Sequence, residues 1–299
     1  PIVIISISML TAYILCGIYG ISIAAVGMMS FIGVTVSIDA FGPIADNAGG
    51  IAESVNLPHE VRIITDGLDA RGNTTAAIGK GFAIGSAAFA TCSLIVAYIT
   101  ACTNGVLELK GSEIIIYGLV GMILGSGFIV YFWGLLTRHT SQAAMEMADE
   151  IAKQLNLPGV MEGEREPDYD ACIQIATRNA IGKMLSPTVI CLFTPVVCGF
   201  LFGPALVGGI LVGATITAIP IAIFMGNSGG AFDNTKKYIE SGLLEGYGKG
   251  SEVHKTAVAG DTVGDTRKDV VGVALDIAIK LMSTVANTLA PAFTRFHLL

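Results

Sequence analysis

The stretch "GDTVGDTRKDV" (260–270) spaces Asp261, Asp265 and Asp269 four residues apart, with Arg267 and Lys268 among them, just ahead of an apolar run. At about 100° per residue the three carboxylates fall within about 80° of one another on a helix. Carboxylates crowded this way repel and raise each other's pKa unless a cation neutralises them. Mg2+ suits such a set: it takes oxygen ligands, keeps several waters and is commonly shared between a few carboxylates and substrate phosphates. Lys268 adds a point charge for phosphate oxygens.

Three other segments carry similar chemistry. "GGAFDNTKKYIE" holds Asp233, Lys236 and Lys237; "SIDAFGPIADNAGGIAE" puts Asp39 and Asp46 on one helical face; "TDGLDARGNTTAAIGKGFAIGSA" does so for Asp66, Asp69 and Asn73. For any one segment, a solvated helix end with weak charge pairs is an equal reading. Four acidic clusters gathered on one side of a membrane predict a Mg2+ phosphate site. Deeper in the last apolar run, Asp276 and Lys280 are four apart and share a face. Charge at that depth marks an ion path, the alternative being a static pair within the helix.

Other signals are excluded. "GNTTAAIGKG" lacks P-loop spacing, and neither Ser nor Thr follows Lys80. The Asn73-Thr74-Thr75 sequon falls on the cytoplasmic side, where it is not glycosylated. His59, His139, His254 and His297 form no metal-type pair and are expected at the surface. The six cysteines include no CxxC and are expected to pack.

The elements that must position these residues are membrane helices. The chain of 299 residues is 53% hydrophobic and 14% charged, with 37 glycines and a mean hydropathy of +0.69. No charge occurs in 1–38, 81–107, 114–137 or 184–232, and about 20 apolar residues cross a bilayer. The reading is an all-α, polytopic membrane helix bundle forming a single domain over 1–299. It has a partial helix at 1–14 and six complete ones near 16–52, 66–102, 113–139, 170–202, 205–240 and 255–294, several long enough to project into the cytoplasm. Gly203-Pro204 supplies the turn within the longest run. The loops 53–65, 140–169 and 241–254 share a side, and of 17 Lys and Arg all but Lys110, Lys280 and Arg295 lie in or near them, which makes that side cytoplasmic. Gly121 to Gly125 and Gly209 to Gly213 predict close helix packing. A net charge of −7 argues against nucleic acid as a partner. Pro1 opens inside an apolar run without an initiator Met or a basic leader, which predicts a longer parent polypeptide.

In that order, "DAFGPIADNAGGIAE", "DARGNTTAAIGKGFAIGSAA", "GGAFDNTKKYIE" and "HKTAVAGDTVGDTRKD" resemble the signature stretches of membrane-bound, ion-pumping pyrophosphatases. The resemblance runs from Pro1 to about Phe293 and covers the C-terminal portion of such an enzyme. It implies a homodimer of long-helix bundles in lipid that cleaves Mg-pyrophosphate on the cytoplasmic side and pumps H+ or Na+. The membrane is that of a prokaryotic cell or a eukaryotic acidic organelle. By position it implies Mg2+ and pyrophosphate contacts at Asp39, Asn73, Asp233, Lys236, Asp261, Asp265 and Lys268. It further implies a water-activating role for Asp269 and a coupling gate at Lys280, to which Asp276 adds a carboxylate where the family commonly has asparagine. Ala76 and Gly79 stand where the potassium-dependent subfamily keeps small residues, so a bound K+ is implied. Phe232 stands in place of tryptophan, Thr266-Arg267 in place of Pro-Phe or Pro-Leu, and Gly272-Val273 in place of Gly-Pro.

The family's N-terminal half, with a further lysine- and aspartate-rich motif, a second water-activating aspartate and a gate glutamate, has no counterpart in this chain, which alone is expected to be inactive. The implied reaction is direct attack of water on Mg-bound pyrophosphate, with aspartates accepting the proton. A secondary transporter without hydrolysis and a structural piece that assembles with a missing half remain as alternatives.

Overall fold

The computed structural model of the chain describes residues 1–30, 32–54, 57–103 and 112–298, apart from some side chains within helices, among them those of Asp39, Asn73 and Ala76. Its described residues are helical with no strand: α1 (Ile2–Met29), α2 (Ile32–Ser54), α3 (His59–Thr103), α4 (Ser112–Leu155), α5 (Tyr169–Glu240), α6 (Glu252–Asp265), a π-helical turn (Thr266–Val271) and α7 (Gly272–Arg295). Four stretches are long and apolar enough to cross a bilayer, at Ile2–Val34, Ile78–Thr103, Ile114–Leu155 and Tyr169–Glu240. Large apolar side chains stay exposed along α1, α4 and the first half of α5, as on a surface that faces lipid. The protein is a multi-pass membrane protein.

Two of the long helices are hairpins in disguise. α1 breaks at Cys16 and Gly17, where Gly17 takes φ +63, and both halves pack on α3 through Ile5, Met9, Ile21 and Ala25 against Phe89 and Cys92. α5 breaks at Gly203, with φ +80. Its second half runs parallel to α4: a Cβ on Gly125 would meet the Ile210 carbonyl at 2.1 Å, and one on Gly213 the Met122 carbonyl at 2.0 Å. Only glycine tolerates that approach. The first half runs antiparallel to α4, because His139 Nδ1 lies 2.9 Å from the Lys183 carbonyl while Asn179 Nδ2 donates to Glu146 at 2.8 Å. One helix cannot run both ways, so the chain reverses at Gly203-Pro204, as expected.

Two expected boundaries shift. α3 starts at His59, seven residues early, and α4 continues through "SQAAMEMADEIAKQL" to Leu155 instead of stopping near 139. That run is charged, which places it outside lipid, but it is rich in Ala, Met, Glu, Lys and Leu, which favour helix. The connection 156–168 is then clamped by buried Gln154: its Nε2 donates to the Asp168 carbonyl at 3.0 Å, and the Asp168 amide donates to its Oε1 at 2.8 Å.

α3 and α7 run in the same direction through the interior. At one end Tyr98 donates to the Pro204 carbonyl at 2.9 Å and the Leu298 amide to that of Phe200 at 3.0 Å. The other end collects the start of α3, the end of α5, α6 and the π turn. Leu206, Ile210, Met225, Leu275, Ile279 and Met282 are buried between the two ends.

Candidate functional site

The sequence "DNTKKYIE" closes α5 with Asp233, Lys236 and Lys237 at i, i+3 and i+4, on one face of the helix. Gly229 lets α6 come against that face, since a Cβ there would sit 2.5 Å from the Gly264 carbonyl. The buried Lys268 Nζ donates to Asp233 Oδ2 at 2.8 Å and lies 2.9 Å from Asp265 Oδ1. Asp233 Oδ1 lies 3.3 Å from Lys237 Nζ, which in turn is 2.7 Å from Asp69 Oδ2 on α3. Alternating charge therefore runs from Asp69 through Lys237, Asp233 and Lys268 to Asp265, tying α3, α5, α6 and the π turn together. Lys236 donates to Asp261 beside this chain, and Lys80 of α3 donates to Asp269. Asp46 on α2 feels the charges of Asp69, Lys236, Lys237 and Asp233.

The π turn explains a departure from the expected single face of three carboxylates. Its widened winding shows in the Gly272 amide, which bonds the Arg267 carbonyl five residues back. Asp261 and Asp265 stay with α5 and its lysine partners, while Asp269 reaches Lys80. Lys80 was missed as a site residue. Its one signal was position, as the last charge before the uncharged run at 81–107, and sequence alone could not name the helix it would face.

Burial works against the charged form of Lys268, but hydrogen bonds to Asp233 and Asp265 outweigh it and hold the ammonium above the usual lysine range. Burial pushes the Asp261 carboxyl up, and Asp265 and Asp233 add to this, against the hydrogen bond from Lys236.

Of the predicted ligands, Asp233, Lys236, Asp261, Asp265 and Lys268 come together. The Asp39 and Asn73 side chains lie outside the described residues, as does that of Ala76, while Gly79 sits half-buried in α3. Asp66 turns away to pair with Arg62 at 3.1 Å. Among the described residues no three acidic, His or Cys side chains are placed to share one metal ion; Asp233, Asp261 and Asp265 each answer a lysine instead. The donor chemistry still fits Mg2+, because the described members of the set, Asp233, Asp261 and Asp265, offer carboxylate oxygens and Asp261 Oδ1 is buried without a hydrogen-bond partner. The expected surface histidines need one correction: His254 is buried, with Nε2 2.8 Å from Glu240 Oε1 and Nδ1 accepting from the Gly250 amide at 3.2 Å. Its backbone turn brings the ring against the end of α5. All six cysteines are free.

A cavity of about 380 Å³ opens beside the site, lined by Thr74, Lys80, Asn227, Asp233, Asn234 and Lys268 among others. A second, of about 120 Å³, shares Lys80, Ile84, Gly226 and Lys268 with it and continues down to Asp276 and Lys280. The static pair does not form: Asp276 Oδ1 is buried and unpartnered, and no ion pair joins it to Lys280 among the described residues.

The family model described as inorganic H+ pyrophosphatase matches residues 1–289. Among curated proteins, the chain is 48% identical to a K(+)-stimulated pyrophosphate-energized sodium pump of Thermotoga maritima, over 100% of this chain and 42% of that protein. It is 48% identical to a putative pump of the same description from Clostridium tetani, over 99% of this chain and 44% of that one. A K(+)-insensitive pyrophosphate-energized proton pump of Moorella thermoacetica is 42% identical, over 98% and 44%. The chain thus spans less than half the length of these relatives.

Proposed function

The chain belongs to the inorganic H+ pyrophosphatase family, and from that premise we propose that it supplies the C-terminal share of a pump that hydrolyses Mg-pyrophosphate at the cytoplasmic face and moves H+ or Na+ across the membrane. The observation that carries this reading is the alternating Asp–Lys chain, which stands beside two neighbouring cavities, the second lined by Asp276 and Lys280.

Asp233, Asp261 and Asp265 would hold Mg2+, with Asp39 and Asn73 as further ligands by resemblance. The metal, when bound, neutralises the substrate and aligns its phosphates. Lys236 and Lys268 exchange their carboxylates for phosphate oxygens. Lys80 donates to Asp269 and aims it, so that it accepts a proton as water oxygen bonds to phosphorus and the bridging P–O bond breaks. Asp276 and Lys280 form the gate below. By resemblance Ala76 and Gly79 imply a K+ cofactor, and two of the relatives are named K(+)-stimulated pumps. The working unit is a homodimer completed by the part of the protein that its relatives carry outside the matched span. A structural share of a split site is the second reading, favoured by the partial span.

The test uses the complete protein in sealed vesicles. Pyrophosphate should drive ion uptake, and Lys280→Ala should retain cleavage while losing uptake per pyrophosphate; unchanged pumping would count against the gate, and uptake without phosphate release against the whole reading.

A further inference from the structure

We propose that the hydroxyls of Thr91 on α3 and Ser283 on α7 form a second polar station for the transported cation or the water that carries it, deeper in the membrane than Asp276. The inference rests on the pump reading and extends its ion path.

Among the described residues, the buried side-chain atoms without a hydrogen-bond partner fall into two groups. Lys237 Nζ and Asp261 Oδ1 belong to the upper site, the former within ion-pair range of Asp69 and Asp233. The other three are Asp276 Oδ1, Thr91 Oγ1 and Ser283 Oγ. Among the described residues the other buried serine and threonine hydroxyls are satisfied by their own helix: Ser86 donates to the Ala83 carbonyl at 2.9 Å and Thr215 to that of Leu211 at 2.7 Å. Thr91 and Ser283, at 0% and 1% exposure, make no such bond. In a span without water, an unpaired hydroxyl is costly and local back-bonding is the ordinary remedy.

Register places the two hydroxyls at one level. α3 and α7 run in the same direction, and Ile84 and Asp276 line the same cavity. Thr91 follows Ile84 by seven residues and Ser283 follows Asp276 by seven, which is about 10 Å and two full turns in each helix, so each returns to nearly the same face. Small neighbours (Ala87, Ala88, Ala278 and Ala286) are also buried here, so a slight separation of the helices opens room for one ion or water. Two hydroxyl oxygens at one level are neutral hard donors: they take Na+ with part of its water, or a water that passes a proton, without trapping either as a carboxylate would.

The test uses the complete protein in sealed vesicles energised with pyrophosphate, with Na+ present in one arm and absent in the other under a pH-sensitive dye. The Thr91→Val, Ser283→Ala double variant should keep at least half of the hydrolysis seen in unsealed membranes yet move about fivefold fewer ions per pyrophosphate, in the arm that shows transport by the unmodified protein. Thr91→Ser, which keeps the hydroxyl, should pump normally. Unchanged ions per pyrophosphate in the double variant overturns the station, as does a parallel fall of hydrolysis and uptake, which marks a packing role. If the double variant does not fold, Thr91→Val against Thr91→Ser decides by the same ratio. An unmodified protein that neither cleaves nor pumps overturns the pump reading, and the station with it.

Discussion

Asp233→Asn isolates the central charge of the site. The substitution keeps volume and shape, so no cavity opens, and what changes is the pairing of two lysines. Lys268 loses a 2.8 Å charge-assisted bond, and Lys237 a 3.3 Å contact. Hydrogen bonds to charged groups contribute about 1.5–3 kcal/mol each, and breaking a buried pair costs about 3–5 kcal/mol when nothing else compensates. Here compensation is at hand, since Lys268 keeps Asp265 at 2.9 Å and Lys237 keeps Asp69 at 2.7 Å. The net loss is therefore about 2–3 kcal/mol of folding stability, and removal of a proposed Mg2+ ligand should separately slow pyrophosphate cleavage by about 10- to 100-fold. The assay is phosphate release by the complete protein at saturating Mg2+, with thermal unfolding followed in parallel and Asp66→Asn as the control. That exposed aspartate pairs with Arg62 outside the site and should leave the rate within about twofold. An Asp233→Asn protein that folds and cleaves within threefold of the unmodified rate would refute the reasoning.

Lys80→Met and Asp269→Asn should be non-additive in a double-mutant cycle of cleavage rates, with coupling of about 1 kcal/mol because Asp269 is half-exposed; additive losses would separate the two residues. Gly125→Leu should abolish assembly of α4 with the second half of α5, seen as loss of folded protein in detergent, because its Cβ alone meets the Ile210 carbonyl at 2.1 Å; a normally folded variant would contradict the packing. The raised Asp261 carboxyl binds its proton before an ordinary aspartate does as pH falls, and that proton competes with Mg2+. Thermal stabilisation by Mg2+ should thus weaken on acidification sooner than an ordinary carboxylate predicts, and Asp261→Asn should reduce it at every pH; a pH-independent stabilisation would exclude Asp261 as a ligand. Lys268, held above the usual lysine range, contributes stability that is fully present below about pH 10.4 and lost as pH rises through its folded pKa. A titration of unfolding between pH 7 and 9 should show no change that Lys268→Met abolishes.

The sequence carried much of this in local signals. The break in α5 could be placed because Gly203-Pro204 is local chemistry, and the glycine pairs of α4 and α5 announced close helix packing for the same reason, without naming the partner. The extension of α4 to Leu155 is not legible from its charges, because charge decides what faces lipid and leaves helicity to propensity. Ligand types were readable wherever one helix carried its own spacing, as at Asp233, Lys236 and Lys237. Partners across helices were not: nothing in the composition of α3 says that Asp69 meets Lys237 or that Lys80 meets Asp269. The π turn was hidden too, since it depends on how α6 and α7 are held by α3 and α5, and it redirects one of three evenly spaced carboxylates. His254 looked like a surface residue because its burial comes from the turn ahead of α6, which brings its ring to Glu240.

The most direct measurement of the central claim replaces Mg2+ by Mn2+ and follows its binding to the complete protein by electron paramagnetic resonance, with and without a non-hydrolysable pyrophosphate analogue. The account predicts that tight Mn2+ binding requires the analogue and is weakened at least tenfold by Asp261→Asn and by Asp265→Asn, while Asp66→Asn leaves it intact. Mn2+ binding that ignores both the analogue and those two substitutions would contradict it.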